Sequence, residues 1–555
     1  MKILRNNFSI ATLFALSIFA ILPLLHSGFF NIHDDTQVQR VFEMNASLSA
    51  GMFPVRWVPD LGYGYGYPIF NFYAPLPYYV GGFLSLLGLN ALLATKIMIL
   101  IGVIGAAFTM YILAKEFWGK IGGVFSSLLY LYAPYHGLNA YIRGDIGEVY
   151  SYFFIPLIFY GIWKFYKTQK FAYLMIGSLG YGAVIISHNL SGLMISPFVL
   201  LTALILIIKK RNLALLLIPI MGILLSAFYS LPAFLEINYT NVVSTIGGKA
   251  DFHNHFVCIR QLWDSPWMYG GSIPGCVDGL SFRLGKLHIL FAPIAILSSI
   301  IFIKKEKEKL FILLASIIAL LFSIFLMIGQ SKIIWEAIPF MNFFQYPWRF
   351  LLIASFFSSF VAGSIIYSLS KFQKINNKFI SFGVYLVLLV SPVVLYSKLF
   401  SPQKYLLKTS EDYTNALSLN WTTSKISDEY MPKGFETPKN LSKISTAKIE
   451  GKAIQVRNIE KNTKKLSAQI ETSKPTNVTI HIPYFPAWKY YLNGKKVDAT
   501  EISTGVSINI PQGSSQIDAR FEQTNIEKIS NLLSISGILI LLTGIIYAKQ
   551  KRKLV

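Results

Sequence analysis

Residues 31–35 read NIHDD and residues 62–76 read GYGYGYPIFNFYAPL, and both belong to the stretch that follows the first apolar segment of the chain. Two adjacent carboxylates, Asp34 and Asp35, therefore stand next to a segment long enough to span a membrane. A pair of adjacent carboxylates, followed by a loop rich in glycine and aromatic residues, is unusual in a chain with only 27 acidic residues. We expect this loop to carry the chemistry and the apolar helices to hold it in place.

The composition is that of an integral membrane protein. Of the 555 residues, 54% are hydrophobic and 14% are charged, whereas soluble domains carry about 25% charged residues. Lys and Arg outnumber Asp and Glu by 50 to 27, but the basic residues occur in short clusters between apolar runs. That distribution is typical of the positive-inside rule and argues against a nucleic-acid partner.

Apolar runs of roughly 17–25 residues can cross a bilayer, and they predict about twelve transmembrane helices. The run at 77–88 is shorter, and we expect it to lie in the membrane interface, because a crossing there would put the basic clusters on opposite sides. Both termini are then cytoplasmic. The predicted spans lie near residues 8–25, 91–114, 121–138, 149–166, 171–188, 191–208, 213–232, 287–303, 310–328, 348–369, 378–398 and 529–548.

This topology predicts three domains along the chain. Residues 1–398 form the transmembrane domain, with two large outer loops at 26–90 and 233–286. Residues 399–528 form an extracytoplasmic β-rich domain, and 529–555 form the last transmembrane helix with a basic cytoplasmic tail.

Alternating apolar and polar residues in the third segment predict β-strands, and turn signals separate them. A small C-terminal β-sandwich is the natural interpretation. The alternating runs lie at residues 453–457, 465–470, 478–482 and 506–510.

Ionisable residues near the predicted spans lie mostly at their outer ends. A transporter would be expected to carry such groups near the bilayer midplane. We therefore expect a site at the outer boundary of the membrane and not along a pore.

Each candidate residue also has a structural interpretation. Asp34 or Asp35 could act as a general base or bind a divalent cation, or could cap the helix predicted over 36–49. Arg143, with the acids after it, could clamp a phosphate, or snorkel and pair with an acid. His188 could line the site, or be a hydrogen-bonded residue at a helix end. Arg349 could meet a lipid phosphate at headgroup depth, or anchor the topology.

The two cysteines of the chain, Cys258 and Cys276, lie in one predicted extracytoplasmic loop. That compartment permits disulfides. We expect Cys258 and Cys276 to be bonded to each other.

Several motifs together resemble known membrane proteins. A first span, an outer loop with an acidic pair and an aromatic interfacial helix resemble the GT-C superfold of membrane glycosyltransferases. More closely, the chain is similar to the bacterial pyruvoyl-tetrahydropterin-synthase-related membrane proteins, near the YfhO-like proteins. The motifs are His33-Asp34, Arg56-Trp57, residues 66–76, Arg143-Gly144 with Glu148, Ser187-His188-Asn189, residues 278–282, residues 346–350, and residues 484–489 with 493–495.

The resemblance implies a plasma-membrane glycosyltransferase that takes a sugar from a polyprenyl-phosphate donor and transfers it outside to a glycan, lipid or protein. Asp34 is then the first candidate for catalytic base or metal ligand. The family label implies no pterin chemistry, because no zinc-binding His cluster is visible in the sequence. Either the arginines or a divalent cation, Mg²⁺ or Mn²⁺, would stabilise the leaving phosphate, so this cation is the one cofactor to consider. The other residues implied are Asp35 and Glu148 as catalytic residues, and Arg56, Trp57, Tyr67, Arg143, His188 and Arg349 as substrate-binding residues.

Two other functions stay open from the sequence. The first is a transporter or flippase of lipid-linked glycans, which would need an inverted repeat or polar cavity at the midplane. The second is a non-catalytic scaffold whose outer β-domain binds glycan. This scaffold would depend on Trp488 and not on Asp34 and Asp35.

The predicted disulfide can be tested by mass spectrometry on protein from its native membrane. We expect Cys258 and Cys276 to react with an alkylating reagent only after reduction. Two alkylated cysteines in unreduced protein would contradict the prediction.

Overall fold

The computed structural model of this chain describes residues 2–242, 250–302, 306–372 and 378–553, and most of them are helical. The α-helices are α1 (Lys2–Ile21), α2 (Gln37–Ser49), α3 (Ile69–Phe72), α4 (Pro75–Leu86), α5 (Ala91–Leu131), α6 (Pro134–Leu138), α7 (Ile146–Thr168), α8 (Phe171–Ser187), α9 (Asn189–Lys210), α10 (Leu217–Leu235), α11 (Ile259–Trp263), α12 (Lys286–Ser298), α13 (Lys307–Met327), α14 (Lys332–Ala337), α15 (Leu351–Phe372), α16 (Lys378–Tyr396), α17 (Ser410–Thr414), α18 (Ser424–Ile426) and α19 (Asn525–Lys553).

Eight helices in the described residues are long and apolar enough to cross a membrane. The first of them is interrupted at Gly119, whose φ of 72° and ψ of 180° are not helical, so α5 contains two of the predicted spans. Three further predicted spans coincide with shorter apolar helices, Ser9–Leu25, Phe171–Ser187 and Lys286–Ser298. The eight are Ala91–Leu131, Ile146–Thr168, Asn189–Lys210, Leu213–Leu235, Lys307–Met327, Pro347–Lys371, Phe382–Leu399 and Asn525–Gln550.

The run expected to lie in the interface forms α4. This helix has 12 residues, which at 1.5 Å per residue is too short for a hydrocarbon core of about 30 Å. It packs against α2, where Gly81 and Gly82 approach Val41 and Met44 so closely that a Cβ would lie 2.6 Å and 2.5 Å from their side chains.

The C-terminal region is β-sheet. Its strands are β3 (Ile449–Gly451), β4 (Ile454–Asn462), β5 (Lys465–Thr472), β6 (Thr476–Ile480), β7 (Trp488–Leu492), β8 (Lys495–Val497), β9 (Thr500–Ile502), β10 (Gly505–Ile510) and β11 (Gly513–Phe521). They form a four-stranded sheet, β3-β6-β10-β9, and a five-stranded sheet, β4-β5-β11-β7-β8. All paired neighbours are antiparallel. The four predicted strands correspond to β4, β5, β6 and β10.

Two further strands tie the start of the first outer loop to the start of the C-terminal region. They are β1 (Phe29–Phe30) and β2 (Tyr405–Leu406), which pair antiparallel. The chain thus returns to the first loop before it enters the larger sheets.

The aromatic half of the first loop packs against the β region. The Trp57 ring meets the Trp488 ring edge-on at 5.7 Å, an arrangement that aromatic pairs prefer. The Tyr65 hydroxyl accepts a hydrogen bond from the Ser445 backbone N–H at 2.9 Å, and Lys448 Nζ donates to the Gly64 carbonyl at 2.6 Å. Residues 62–67 therefore support the β region, and we correct the expectation that this half of the loop carries chemistry.

Basic residues near the C-terminal ends of α7 and α9 lie close together. Lys164 pairs with Glu116 at 2.9 Å, and Lys167 pairs with Glu308 of α13. Lys210 Nζ donates to the Tyr166 carbonyl at 3.0 Å. Lys304, Lys305 and Lys374, which belong to two more predicted clusters, lie outside the described residues.

Cys258 and Cys276 are bonded to each other, with Cα atoms 5.6 Å apart. The loop they close contacts the start of the Pro347–Lys371 span, because Ser272 Oγ accepts a hydrogen bond from Trp348 Nε1 at 3.1 Å. His33 Nε2 donates to the Tyr269 carbonyl at 2.8 Å. The disulfide loop therefore links the first outer loop to the segment that carries Arg349.

One buried acid in α2 predicts a pH-dependent stability. Glu43 is fully buried, and burial together with the nearby Asp60 charge raises its pKa from 4.5 to about 8. Since the folded protein prefers the protonated form, wild-type protein loses stability as pH rises from 4.5 to about 8. We expect Glu43→Gln to raise the melting temperature at pH 8 and to leave it nearly unchanged at pH 4.5. Glu411→Gln, at an exposed position, is the control, and equal shifts in both variants would contradict this.

Candidate active site

The site forms where the first outer loop meets the turn before α7. The backbone N–H groups of His33 and Asp34 donate to the carbonyls of Ile142 and Arg143 at 2.8 Å and 3.0 Å. Gln37 Nε2 donates to the Gly144 carbonyl at 2.8 Å. These contacts join residues more than 100 positions apart in the sequence and set Asp34 beside Arg143.

A π-helical turn, Asn139–Arg143, shapes the other side of this contact. Such turns are rare and often occur at functional sites. The turn ends at Gly144, whose φ is 74° and where a Cβ would lie 2.7 Å from Ile32 Cδ1. A side chain at position 144 would therefore push the two loops apart.

Asp34 is partly exposed, and its side chain accepts no hydrogen bond from any described residue. Burial of the group and the nearby Asp145 charge raise the pKa of Asp34, while Arg40 and Arg143 oppose the shift. The cap of α2 is Thr36 and lacks a side-chain hydrogen bond, so Asp34 does not cap this helix. An unpartnered carboxyl with a raised pKa has the properties of a general base.

Arg143 pairs with both acids of its loop. Its Nη2 lies 2.8 Å from Asp145 Oδ2, and its Nη1 lies 3.2 Å from Glu148 Oε1. The guanidinium also lies over the Trp348 ring at 4.8 Å. The arginine is thus held between two carboxylates and an aromatic face.

His188 joins the same cluster from the start of α9. Its Nδ1 accepts a hydrogen bond from the Ser191 backbone N–H at 3.2 Å, which caps the helix. Its Nε2 lies 4.0 Å from Asp145 Oδ2. Burial lowers the pKa of His188, so the ring is neutral at neutral pH. Burial disfavours the Asp145 carboxylate, but nearby positive charge, chiefly from Arg143 and Arg349 when His188 is neutral, lowers its pKa.

Arg349 contributes a guanidinium with two nitrogens that have no hydrogen-bond partner among the described residues. Its Nε and Nη1 are buried and make no hydrogen bond within the described chain. Its guanidinium lies 5.5 Å from the centre of the Tyr346 ring and interacts electrostatically with Asp145. A guanidinium with free donors at this position can bind an oxyanion such as a phosphate.

Arg40, which no sequence motif marked, closes the other side of the cluster. Its Nη2 donates to Ser427 Oγ at 2.8 Å and its Nη1 to the Tyr78 hydroxyl at 3.2 Å. The guanidinium lies over the Tyr73 ring at 4.6 Å. Arg40 is 3% exposed, and this burial within a helix was the feature that the sequence pattern did not reveal.

The C-terminal region contributes Glu429 to the cluster. Ser427 Oγ donates to Glu429 Oε1 at 3.2 Å. Burial raises the pKa of Glu429, and the Arg40 charge opposes that shift. No short motif marked this segment, because its role depends on the return of the chain to the first loop.

Asp35 points away from these groups. Its Oδ1 is buried without a hydrogen-bond partner in the described residues. Burial raises its pKa and the Lys408 charge opposes the shift. The two adjacent carboxylates thus face different surroundings, and Asp34 is the one placed with Arg143 and Asp145.

Arg56, expected to bind substrate, lies in a separate buried network. Its Nη1 donates to Asn71 Oδ1 at 2.6 Å and its Nη2 to Asn531 Oδ1 at 2.8 Å. Its Nε lies 3.9 Å from Glu527 Oε1. With 1% of its surface exposed, Arg56 joins the first outer loop to α19 and is not available to a donor phosphate.

Trp57 and Tyr67, also expected to bind substrate, are 2% and 0% exposed. Trp57 packs against Trp488 and Phe485 of the C-terminal region. The Tyr67 hydroxyl accepts a hydrogen bond from the Tyr430 backbone N–H at 3.2 Å. Both side chains support the wall that carries Glu429 and do not face a ligand.

Asp145, Glu148 and His188 could hold a metal ion, since each offers a ligand atom within 4.8 Å of the others. Asp34, predicted as a metal ligand, is not in this group. Two acids and one histidine also differ from the zinc-binding His cluster that pterin synthesis would need.

A protein-family match covers more than half of the chain. Residues 70–400 match the model of the 6-pyruvoyl-tetrahydropterin synthase related domain, described as a membrane protein. The chain belongs to this family. Arg143, Asp145, His188 and Arg349 lie inside the matched region of this family member, whereas Asp34 precedes it.

Two individual proteins are similar to this family member. An uncharacterized protein of Lactococcus lactis subsp. cremoris (strain MG1363) is 26% identical over 213 residues, which are 37% of this chain and 34% of the relative. The match thus spans about a third of the relative's length. The apo crystal structure of the Archaeoglobus fulgidus oligosaccharyltransferase is similar with a TM-score of 0.44 and 13% identity, over 79% of this chain and 61% of the other. That likeness is too low to assign an activity.

We expect removal of the Arg56 side chain to destabilise the protein much more than removal of the Arg349 side chain. Arg56→Ala leaves the buried Glu527 unpaired, and breaking a buried pair costs about 3–5 kcal/mol. We expect a large drop in the melting temperature of the detergent-purified protein. Arg349→Ala removes a ring contact worth about 0.5–1 kcal/mol and should shift melting little. Equal shifts in the two variants would contradict this division.

Proposed function

We propose that this membrane protein is a glycosyltransferase. It moves a sugar from a polyprenyl-phosphate donor to a hydroxyl group of a glycan, lipid or protein acceptor. The site faces the extracytoplasmic side of the plasma membrane.

The observation that carries this proposal is the state of the Asp34 carboxyl. It has no hydrogen-bond donor among the described residues, and it interacts electrostatically with Arg40, Arg143 and Asp145. The free guanidinium nitrogens of Arg349 belong to the same cluster through Asp145. A base without a partner and an oxyanion-binding cation are the two groups that a displacement at a sugar–phosphate bond requires.

The reaction proceeds with inversion at the anomeric carbon. Asp34 accepts the proton of the acceptor hydroxyl, and the resulting oxygen nucleophile attacks the anomeric carbon. The bond between that carbon and the phosphate oxygen breaks, and its electron pair stays on the polyprenyl phosphate. Arg349 stabilises the charge on this leaving group, because its Nε and Nη1 have no competing protein acceptor.

Arg143, Asp145, Glu148 and His188 form the support around these two groups. Arg143 supplies positive charge next to Asp34. A divalent cation, Mg²⁺ or Mn²⁺, on Asp145, Glu148 and His188 is the alternative source of that charge. The contacts of Arg143 itself favour the arginine.

The proposed topology has twelve spans, with both termini cytoplasmic and the β region outside as a sandwich. Domain boundaries are proposed at 398/399 and 528/529. Support comes from the apolar helices found at the predicted positions. Lys164, Lys167 and Lys210, whose contacts place them at one end of the bundle, also support this topology.

A scaffold that binds glycan through Trp488 is disfavoured. This side chain is 5% exposed and packs on Trp57 and Phe521, so it offers no open face for sugar stacking. A transporter would need polar groups within the span centres, whereas Asp145, His188 and Arg349 lie at helix ends.

The proposal predicts that Asp34→Asn reduces sugar transfer about 10²- to 10⁴-fold, the usual contribution of a general base. The measurement is the surface glycan restored when a deletion strain expresses each variant at equal membrane levels. Asp35→Asn is the matched control, because it alters the adjacent carboxylate outside the cluster.

The pKa of Asp34 is raised. As the pH is lowered, sugar transfer by wild-type membranes should therefore begin to fall at a higher pH than it would with an ordinary aspartate as the base. The Asp34→Asn variant should lack this acid limb. Full glycan in Asp34→Asn cells would refute the assignment.

A further inference from the structure

The carboxylates of Asp145 and Glu148 are already paired with protein groups. Asp145 Oδ1 accepts a hydrogen bond from the Glu148 backbone N–H at 3.0 Å, and its Oδ2 pairs with Arg143 at 2.8 Å. Glu148 Oε2 accepts from the Tyr135 hydroxyl at 2.6 Å and from Asn139 Nδ2 at 2.9 Å. Glu148 Oε1 lies 3.2 Å from Arg143 Nη1. Three of the four oxygens therefore accept hydrogen bonds or pair directly with a donor, and Glu148 Oε1, which makes no hydrogen bond within the described chain, lies in ion-pair contact with Arg143.

The third candidate ligand, His188, presents the wrong nitrogen. Its Nδ1 lone pair accepts the Ser191 backbone N–H that caps α9, so the proton of the neutral ring lies on Nε2. Nε2 is the atom that faces Asp145 Oδ2, at 4.0 Å. A metal needs a lone pair on that nitrogen, and freeing it would break the helix cap.

Arg143 is fixed in its place between the carboxylates. Its Nη1 donates to the Tyr135 hydroxyl at 3.0 Å and to Asn139 Oδ1 at 2.5 Å. The π-helical turn that contains Asn139 and Arg143 sets this spacing, and the Trp348 ring lies against the guanidinium. Several independent contacts thus hold the cation where a metal would have to bind.

A divalent cation does not fit this arrangement. Mg²⁺ requires near-octahedral oxygen ligands at about 2.0–2.1 Å, so it would have to displace the guanidinium from the same oxygens. If the guanidinium stayed, two positive groups would lie within contact distance in a buried site, where charges repel strongly.

We propose that the Arg143 guanidinium is the permanent counter-cation of Asp145 and Glu148, and that this site works without a bound divalent metal. Arg143 is a positioning residue: it pairs with both acids and leaves Arg349 as the cation with free donors. Its removal should free one oxygen of each acid, Asp145 Oδ2 and Glu148 Oε1, for a divalent cation. The binding part of this inference is independent of the proposed function, and the activity part rests on it.

The binding test uses detergent-purified full-length chains that are stripped with EDTA, desalted and titrated with Mn²⁺ under electron paramagnetic resonance. We expect wild type to bind no Mn²⁺ at this site and Arg143→Ala to bind about one ion per chain, through the two carboxylates that the substitution frees. Arg349→Ala, which removes a nearby arginine without freeing a carboxylate, should behave as wild type. Arg143→Ala/Asp145→Asn should lose the new site.

The activity test measures glycan transfer in membranes treated with EDTA. Wild-type transfer should be unchanged, whereas Arg143→Ala should lose transfer in EDTA and regain at least part of it with Mn²⁺. Arg143→Lys should keep chelator-resistant transfer, because the charge remains.

The outcomes separate the two hypotheses. One Mn²⁺ per wild-type chain that is lost in Asp145→Asn would overturn this inference and leave the proposed glycosyltransferase intact. Wild type without Mn²⁺ binding and without any sugar transfer would refute the proposed function alone. If Arg143→Ala fails to fold, the wild-type titration and the chelator resistance of Arg143→Lys still decide the question.

Discussion

The candidate site depends on one constraint: charged side chains buried at the end of an apolar helical bundle must be paired with one another. Arg143 meets this constraint for Asp145 and Glu148, since an unpaired buried charge would cost several kcal/mol. The geometry around Arg143 and its two carboxylates follows from this constraint. The π-helical turn sets the arginine, and Gly144 lets the first outer loop approach until its backbone bonds to the turn. The Asp34 carboxyl is thereby placed next to positive charge, and it accepts no hydrogen bond within the described chain.

The first outer loop has two structural roles that are divided along its length. Its early part carries Asp34 and Arg40 to the site, and its aromatic part supports the β region through Trp57 and Tyr65. The segment that precedes β3 supplies Ser427, which accepts a hydrogen bond from Arg40, and Glu429, which accepts one from Ser427. The site is therefore built from parts of the chain that lie far apart in sequence.

Much of the architecture could be predicted from the sequence. Apolar length places the membrane helices because a lipid-facing helix must be apolar along its whole span, and alternation places β4, β5, β6 and β10 because one face of each strand is buried. Arg143, His188 and Arg349 could be selected because charges at the ends of apolar runs are rare and therefore visible. The buried network around Arg56 could not be predicted, since an arginine in a polar loop looks the same in sequence whether it meets a ligand or Glu527.

The sequence by itself determined that this chain is a membrane protein with a β-rich C-terminal region, and that Asp34 stands out among its acids. The amino-acid composition and the spacing of apolar residues suffice for such conclusions, because both depend on how whole segments are buried. Only the tertiary structure decided which charges meet: Arg40 and Glu429 lie almost 400 positions apart in the sequence, and both were missed. It also separated Asp34 from Asp35 and gave Arg143 its two carboxylates. Electrostatic contacts depend on distances of a few ångströms between side chains, and those distances arise only when the loops pack together.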